Sequence, residues 1–312
     1  MKLQLTALAA AVALSVSAAS WANQVPDYNH EGVEKTGGKN ALDNLGTIRQ
    51  GMDGFTSFGD GTANVRQSDI NQNNQTNSTA NVLQGGTEQY SDIIQGGGTG
   101  GTENEAYVNQ GGNLNESRIQ QINGDYNDAD VDQYGQQDRS FIDQRNGNHN
   151  NAIVEQRGGT NNESEIYQRN GNENYAKVEQ KNNTDRSDSY IWQDGYNNKS
   201  EVTQLNNSSF SDSIIRQTGS YNKAYVDQQL NSLETWSFIE QRGEDNIANV
   251  TQRDADESAS YIFQSGYDGH KATVIQTTEM GSLSMIRQNG SAASASHTQT
   301  NGSGNTASTY QW

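Results

Sequence analysis

The 312-residue chain has no cysteine and one proline, and only 30% of its residues are apolar. Without cysteine there is no disulfide framework, no thiolate metal site and no thiol nucleophile. With Pro26 as the only proline, every later backbone N–H can enter a hydrogen-bonded ladder. The shortage of apolar residues excludes an ordinary globule around one central core. Such a chain is either disordered or built as a repeat array. Basic residues are scarce too, 20 Lys and Arg against 38 Asp and Glu, for a formal charge of -18. That balance argues against nucleic acid or an anionic membrane as partner. The four histidines, His30, His149, His270 and His297, are scattered. No enzyme, metal site or cofactor is expected.

Residues 1–22 read as a secretory signal peptide. Lys2 gives a positive start, Leu3 to Val16 is apolar, and Ser20-Trp21-Ala22 offers small residues for cleavage, with Ser17-Ala18-Ala19 as an alternative. Residues 23–43 carry no repeat and are expected to be a flexible leader. Residues 44–103 match a repeat only in part, as in Asn44 to Gln50, Ala63 to Gln67 and Ser78 to Gln84. Residues 104–312 form the regular repeat domain.

What is abundant is one short phrase: an aliphatic residue, any residue, then glutamine. From Gln110 to Gln311 these glutamines recur 11, 12 or 13 residues apart, 17 times in succession. Odd units read Ser187-Ser189-Ile191-Gln193 or Ser211-Ser213-Ile215-Gln217. Even units read Asn222-Ala224-Val226-Gln228 or Asn246-Ala248-Val250-Gln252. The period of two places each set on one face of an extended strand. This small, nearly uncharged face is expected inside, with stacked amides bonding to one another. Asp132, Asp143, Glu155, Tyr167 and Trp192, each just before a glutamine, are expected on a solvated face.

Glycine and asparagine punctuate the turns, as in Asp194-Gly195-Tyr196-Asn197. A strand–turn–strand pair of about 23 residues is one coil of a flattened solenoid. Counting back from Gln311 predicts 22 strands, hence about eleven coils, in a rod on the order of 50 Å long. His270, Ala293 and His297 are expected to make the last coils less regular. The repeat runs to Trp312 with no recognisable cap, which leaves an edge that can accept another copy. Ser187, Gln193, Gln204, Ser211, Gln217, Asn222, Gln228, Gln241, Asn246 and Gln252 are the candidate assembly ladder.

These units resemble the curlin family, with Ser211, Gln217, Gly219, Asn222, Ala224, Val226 and Gln228 running through its motif intact. The resemblance spans about residues 104 to 311 strongly and 44 to 95 weakly. It implies an all-β fold, a curlin-type β-solenoid of stacked strand–turn–strand coils with cross-β stacking. It also implies a structural subunit of an extracellular amyloid fibre on a Gram-negative bacterium, serving adhesion, aggregation and biofilm. The implied partners are copies of itself, a nucleator subunit, an outer-membrane secretion pore, and host or abiotic surfaces. Repeats that stay regular near the C-terminus favour the major subunit over the nucleator type. A monomeric β-solenoid adhesin is the competing class. It would need a regular outward array, but Asp227 separates Thr203 from Thr251. The outward aromatics Tyr167, Trp192, Tyr225 and Phe263 are read as stabilising neighbouring rungs. Asp125 to Asp130 has a calcium-loop flavour without the full acidic ladder, and reads as a solvated turn.

Overall fold

A computed structural model describes residues 56–58, 66–72, 75–86, 88–96, 101–266 and 269–312. The expected signal peptide, the leader and the partial unit Asn44 to Gln50 lie outside the described residues. Within them every element is a strand. One sheet has twelve strands, from Thr56–Phe58 to Thr306–Gln311. A second has ten, from Thr79–Gln84 to Ser294–Ser303, while Gln75–Thr76 and Gly101–Thr102 form a short parallel pair beside these two main sheets. Apart from Thr56–Phe58, all strands in both sheets pair in parallel with the strands one coil before and after. The chain therefore winds as a two-sided β-solenoid. Ten coils are complete, and Thr306–Gln311 begins the next.

Period two in the sequence becomes two packed faces. The first sheet contributes a column of isoleucines from Ile70 to Ile286, and the second contributes paired columns of alanine and valine. Together they form one continuous buried cluster. Ile191, Ile215, Val178 and Val202 are fully buried. Each such side chain contributes roughly 1.5–3 kcal/mol of burial. A single coil holds too few to stand alone, and its neighbours close its two open sides.

The early part joins the stack. Arg66–Gln72, Thr79–Gln84 and Gln89–Gly96 lie in the same parallel registers as the later strands. In the expected unit Ala63 to Gln67 the glutamine is misplaced, because Gln72, not Gln67, stands opposite Gln95. Ser68, Ile70 and Gln72 alternate correctly, and Ile70 is the residue that enters the core. The late coils also hold. Lys271–Met280 pairs with Ser294–Ser303 and sets His297 opposite Val274, so the expected late irregularity is one of side chains and not of register.

Two further expectations are corrected. The outer face of the first sheet is not uniformly solvated. Its middle column carries Phe141, Tyr190, Ile214, Phe238, Tyr261 and Met285, all buried, with Trp192, Trp236 and Phe263 packed against them. Adjacent columns of large side chains shield the one between them. Asp143, in the column of residues preceding glutamine, is fully buried, and its carboxylate is paired with Arg145 and Arg169. In addition, the N-terminal edge is partly covered. Thr56–Phe58 pairs antiparallel with Arg66–Gln72, setting Thr56 opposite Ile70 and Phe58 opposite Ser68.

The turns depend on glycine where successive coils touch. Gly195, Gly219 and Gly243 stack with positive φ, and a Cβ on Gly219 would stand 2.2 Å from the carbonyl oxygen of Gly243. Gly281 also has positive φ (61°) but meets nothing within 4 Å. Gly281→Ala should therefore cost about 1 kcal/mol from its backbone alone. Gly219→Ala should cost at least about 3 kcal/mol, because the adjacent backbone must move as well. Urea unfolding of the soluble chain followed by circular dichroism measures both, and similar midpoints for the two variants would contradict the close-packed turn.

Candidate assembly ladder

The buried glutamines form two unbroken hydrogen-bonded columns. On the first sheet Gln72, Gln95, Gln121, Gln144, Gln168, Gln193, Gln217, Gln241, Gln264 and Gln288 each donate Nε2 to Oε1 of the next, ending at Gln311, over 2.7–3.0 Å. On the second sheet the same chain of amides runs from Gln84 to Gln299. Every link points the same way, from nitrogen to the oxygen one coil later.

The second Nε2 hydrogen ties the sheets together. Gln193 donates to the Tyr175 carbonyl, Gln217 to that of Lys199 and Gln241 to that of Lys223, each at 2.9 Å. Serine hydroxyls fill remaining acceptor positions: Ser213 donates to Gln228 and Ser237 to Gln252, both at 2.8 Å. A primary amide suits this place because it has two donors and an acceptor. Burying it without partners would cost about 1–3 kcal/mol per group.

A third column runs along the turn after the first sheet. The backbone N–H of Asn127, Asn150, Asn174, Asn198, Asn222, Asn246 and His270 donates to Oδ1 of the preceding asparagine. The asparagine amide donates onward to the turn carbonyl of the next coil, as Asn222 does to Gly243 at 2.8 Å. Of the sequence-nominated residues, Gln193, Gln217 and Gln241 sit in the first column and Gln204, Gln228 and Gln252 in the second. Asn222 and Asn246 sit in the third. Ser187 and Ser211 lie at the opposite turn, where they donate to the Ser208 and Ser232 carbonyls, both at 2.7 Å. The sequence reading took in Gln84 through the partial unit Ser78 to Gln84 but passed over Gln72 and Gln95, although Ser91-x-Ile93-x-Gln95 repeats the same spacing. It also passed over Asp138, which occupies an asparagine place in the second turn.

Outside the second sheet, acidic residues stack as expected: Asp132 stands opposite Glu155, and Glu155 opposite Glu179. Arg157 pairs with Asp132. Lys177 lies 3.0 Å from Glu155 and 3.1 Å from Glu179, and Lys181 pairs with both. Burial pushes the two glutamates up, but the lysine hydrogen bonds outweigh it and hold both below the ordinary carboxylate range. Nearer the N-terminus no lysine intervenes in the Glu105–Asp128 column. Burial, with Glu105 and Asp130, raises Asp128, and burial, with Glu155, raises Asp130. The Asp125 region is a turn whose Asp125 Oδ1 accepts from the Thr102 N–H at 2.8 Å. No group of acidic residues, histidines or cysteines among the described residues is arranged to hold a metal.

The last coil changes the core chemistry. His297 takes a valine place and Thr309 an isoleucine place. Nδ1 of His297 lies 2.7 Å from Ser284 Oγ, and Nε2 lies 2.8 Å from Thr309 Oγ1.

Two facing parallel sheets with in-register columns of identical side chains define a cross-β solenoid. Its repeat is that of a known module: the curlin associated repeat family matches residues 101–135 and 124–158. Residues 101–158 thus carry curlin associated repeats, and the same glutamine register continues from there to Gln311. No curated protein matches it.

Two measurements probe the columns. Gln217→Ala deletes one link in each direction and leaves a cavity, so it should destabilise by about 2–4 kcal/mol. Exposed Thr218→Ala should stay within about 0.5 kcal/mol, and equal urea midpoints would count against the ladder. His297 is lowered by burial, so the fold prefers its neutral form. Stability of the last coil is fully present above about pH 6.5 and declines as pH falls below that value toward the folded pKa. His297→Val should remove that decline, read as amide exchange of residues 294–311; an unchanged pH profile would overturn it.

Proposed function

We propose that this chain is a structural subunit of an extracellular curli-like amyloid fibre that grows by end-to-end addition of copies. The directional glutamine column carries the reading. It begins with Gln72 as donor to Gln95 and ends with Gln311 as acceptor from Gln288. At the far end Gln311 Nε2 donates to the Ser294 carbonyl, and Gln299 Nε2 to that of Leu283. In every earlier link such a nitrogen also reaches a glutamine oxygen one coil on. The two ends are chemically complementary, nitrogen facing oxygen, which favours head-to-tail addition over head-to-head. Among the described residues no strand pairs on the outer side of Thr306–Gln311, Ser294–Ser303 or Thr79–Gln84. Such edges template further strands.

Repeats that keep register through the last described strand suit the major, structural kind of subunit better than a divergent nucleating one. On this reading the chain leaves the cell by its expected signal peptide and an outer-membrane pore. A nucleator subunit seeds it, and its fibres serve adhesion to host or abiotic surfaces, aggregation and biofilm matrix.

The test is assembly of the chain lacking residues 1–22. Fibres should form at micromolar concentration, bind thioflavin, diffract at about 4.7–4.8 Å along the axis, and seed fresh chain. A protein that stays monomeric for days under seeding, yet binds a polysaccharide saturably, would replace this reading with that of a monomeric adhesin.

A further inference from the structure

A carboxyl group stands where the ladder calls for an amide. Along the second turn, Asn115, Asp138 and Asn162 occupy equivalent places on successive coils. The Asp138 N–H donates to Asn115 Oδ1 at 3.0 Å, and the Asn162 N–H and Nδ2 donate to Asp138 Oδ1, both at 3.1 Å. The side chain of Asp138 is fully buried, and its other oxygen, Oδ2, has no hydrogen-bond partner.

The neighbouring asparagines show what Oδ2 replaces. Asn115 Nδ2 donates to the Gly135 carbonyl at 3.2 Å, and Asn162 Nδ2 to that of Thr184 at 3.2 Å. The corresponding carbonyl for Asp138 is Gly159. The glycine before each residue locates the contact. A Cβ on Gly159 would stand 2.4 Å from Asn162 Nδ2 and 2.1 Å from the Thr184 oxygen, a pair joined at 3.2 Å. A Cβ on Gly135 would stand 1.9 Å from Asp138 Oδ2 and 2.6 Å from the Gly159 oxygen. Oδ2 thus takes the amide nitrogen's place. An ionised carboxylate turns a lone pair toward the Gly159 carbonyl, which is also an acceptor; a protonated one can donate to it.

We propose that Asp138 is a proton-dependent latch on this turn: its protonated carboxyl completes the ladder to Gly159, and its ionisation loosens the joint between the coils on either side. Among the described residues no cation offsets the charge. The column neighbours Asn115 and Asn162 are neutral amides. Arg139, next in the chain, lies 3.9 Å from Glu116. Asp185, on the following coil, adds like charge and is hydrogen-bonded to Thr160. Burial, opposed by the Asn162 hydrogen bonds and reinforced by Asp185, raises Asp138 to about 7. A surface cleft of about 390 Å³ lined by Gly135, Gly159, Thr184 and Asp185 opens at the same turn, giving water a route to the joint.

The sign follows from linkage. Because the folded carboxyl holds its proton to a higher pH than the unfolded one, its contribution is fully present below about pH 4. It is lost as pH rises to about 7, by up to tenfold in the opening equilibrium per pH unit. The inference rests on the fold alone and holds whether or not the chain assembles. Hydrogen exchange of the full chain, corrected for intrinsic rates, should show protection of residues 139–145 and 151–160 falling over that range. In Asp138→Asn, which restores the neighbours' amide, this slope should vanish. Carbon NMR of the wild-type carboxyl should place the Asp138 midpoint well above the ordinary aspartate value. A slope unchanged in Asp138→Asn, an Asp138→Asn chain that fails to fold, or a wild-type midpoint near 4 would each overturn the latch.

Discussion

The structure depends on satisfying buried primary amides. Glutamine is a poor core residue unless each of its donors and its acceptor finds a partner. Here the solution is repetition. An identical glutamine one coil away accepts the first hydrogen, and a backbone carbonyl of the opposite strand accepts the second. That answer forces parallel, in-register stacking, because a shift of one residue would send every amide to the outside. It also requires coils of nearly constant length, with partners 23 to 26 residues apart along the column. The glycines follow from the same demand, since the chain must turn tightly enough for one coil to lie flat on the next.

The two outer surfaces answer to different constraints. On the second sheet, charged and polar columns leave the outward residues half-buried, with lysines placed between glutamates that the register would otherwise set against each other. On the first sheet, large apolar columns close over one another, so its outer face adds a second apolar cluster parallel to the core. Arg169 lies over both the Tyr167 and Trp192 rings, 4.9 and 4.7 Å from their centres, while pairing with Asp143. A fold poor in apolar residues gains cohesion here from a face that alternation alone would assign to solvent.

Much of this was legible in the sequence, for a specific reason. In Ser211 to Gln228 the spacing of two identifies strands, the twelve-residue recurrence identifies half-coils, and a recurring Gly-x2-Asn identifies the turn. Each signal is local, so each can be read without knowing what lies opposite. The partial units were harder. Ala63-x-Val65-x-Gln67 copies the spacing of the even units and so points to Gln67, although Ser68, Ile70 and Gln72 carry that of the odd units. Asp138 looked like one more acidic residue of an acidic chain. Only its place between Asn115 and Asn162 makes it a carboxyl in an amide's position.

The chain by itself determined that strands of one pattern must stack, which side chains face inward, and that the stack is long. Those outcomes follow from residue type and period, which belong to the chain. Tertiary structure alone decided the direction of the amide columns, the closure of Phe141, Tyr190 and Phe238 over the outer face, and the antiparallel strand on the N-terminal edge. It also decided which carboxylates meet lysine and which meet a carbonyl. Each of these depends on what lies one coil away, 23 or more residues distant in sequence and a single strand spacing distant in space.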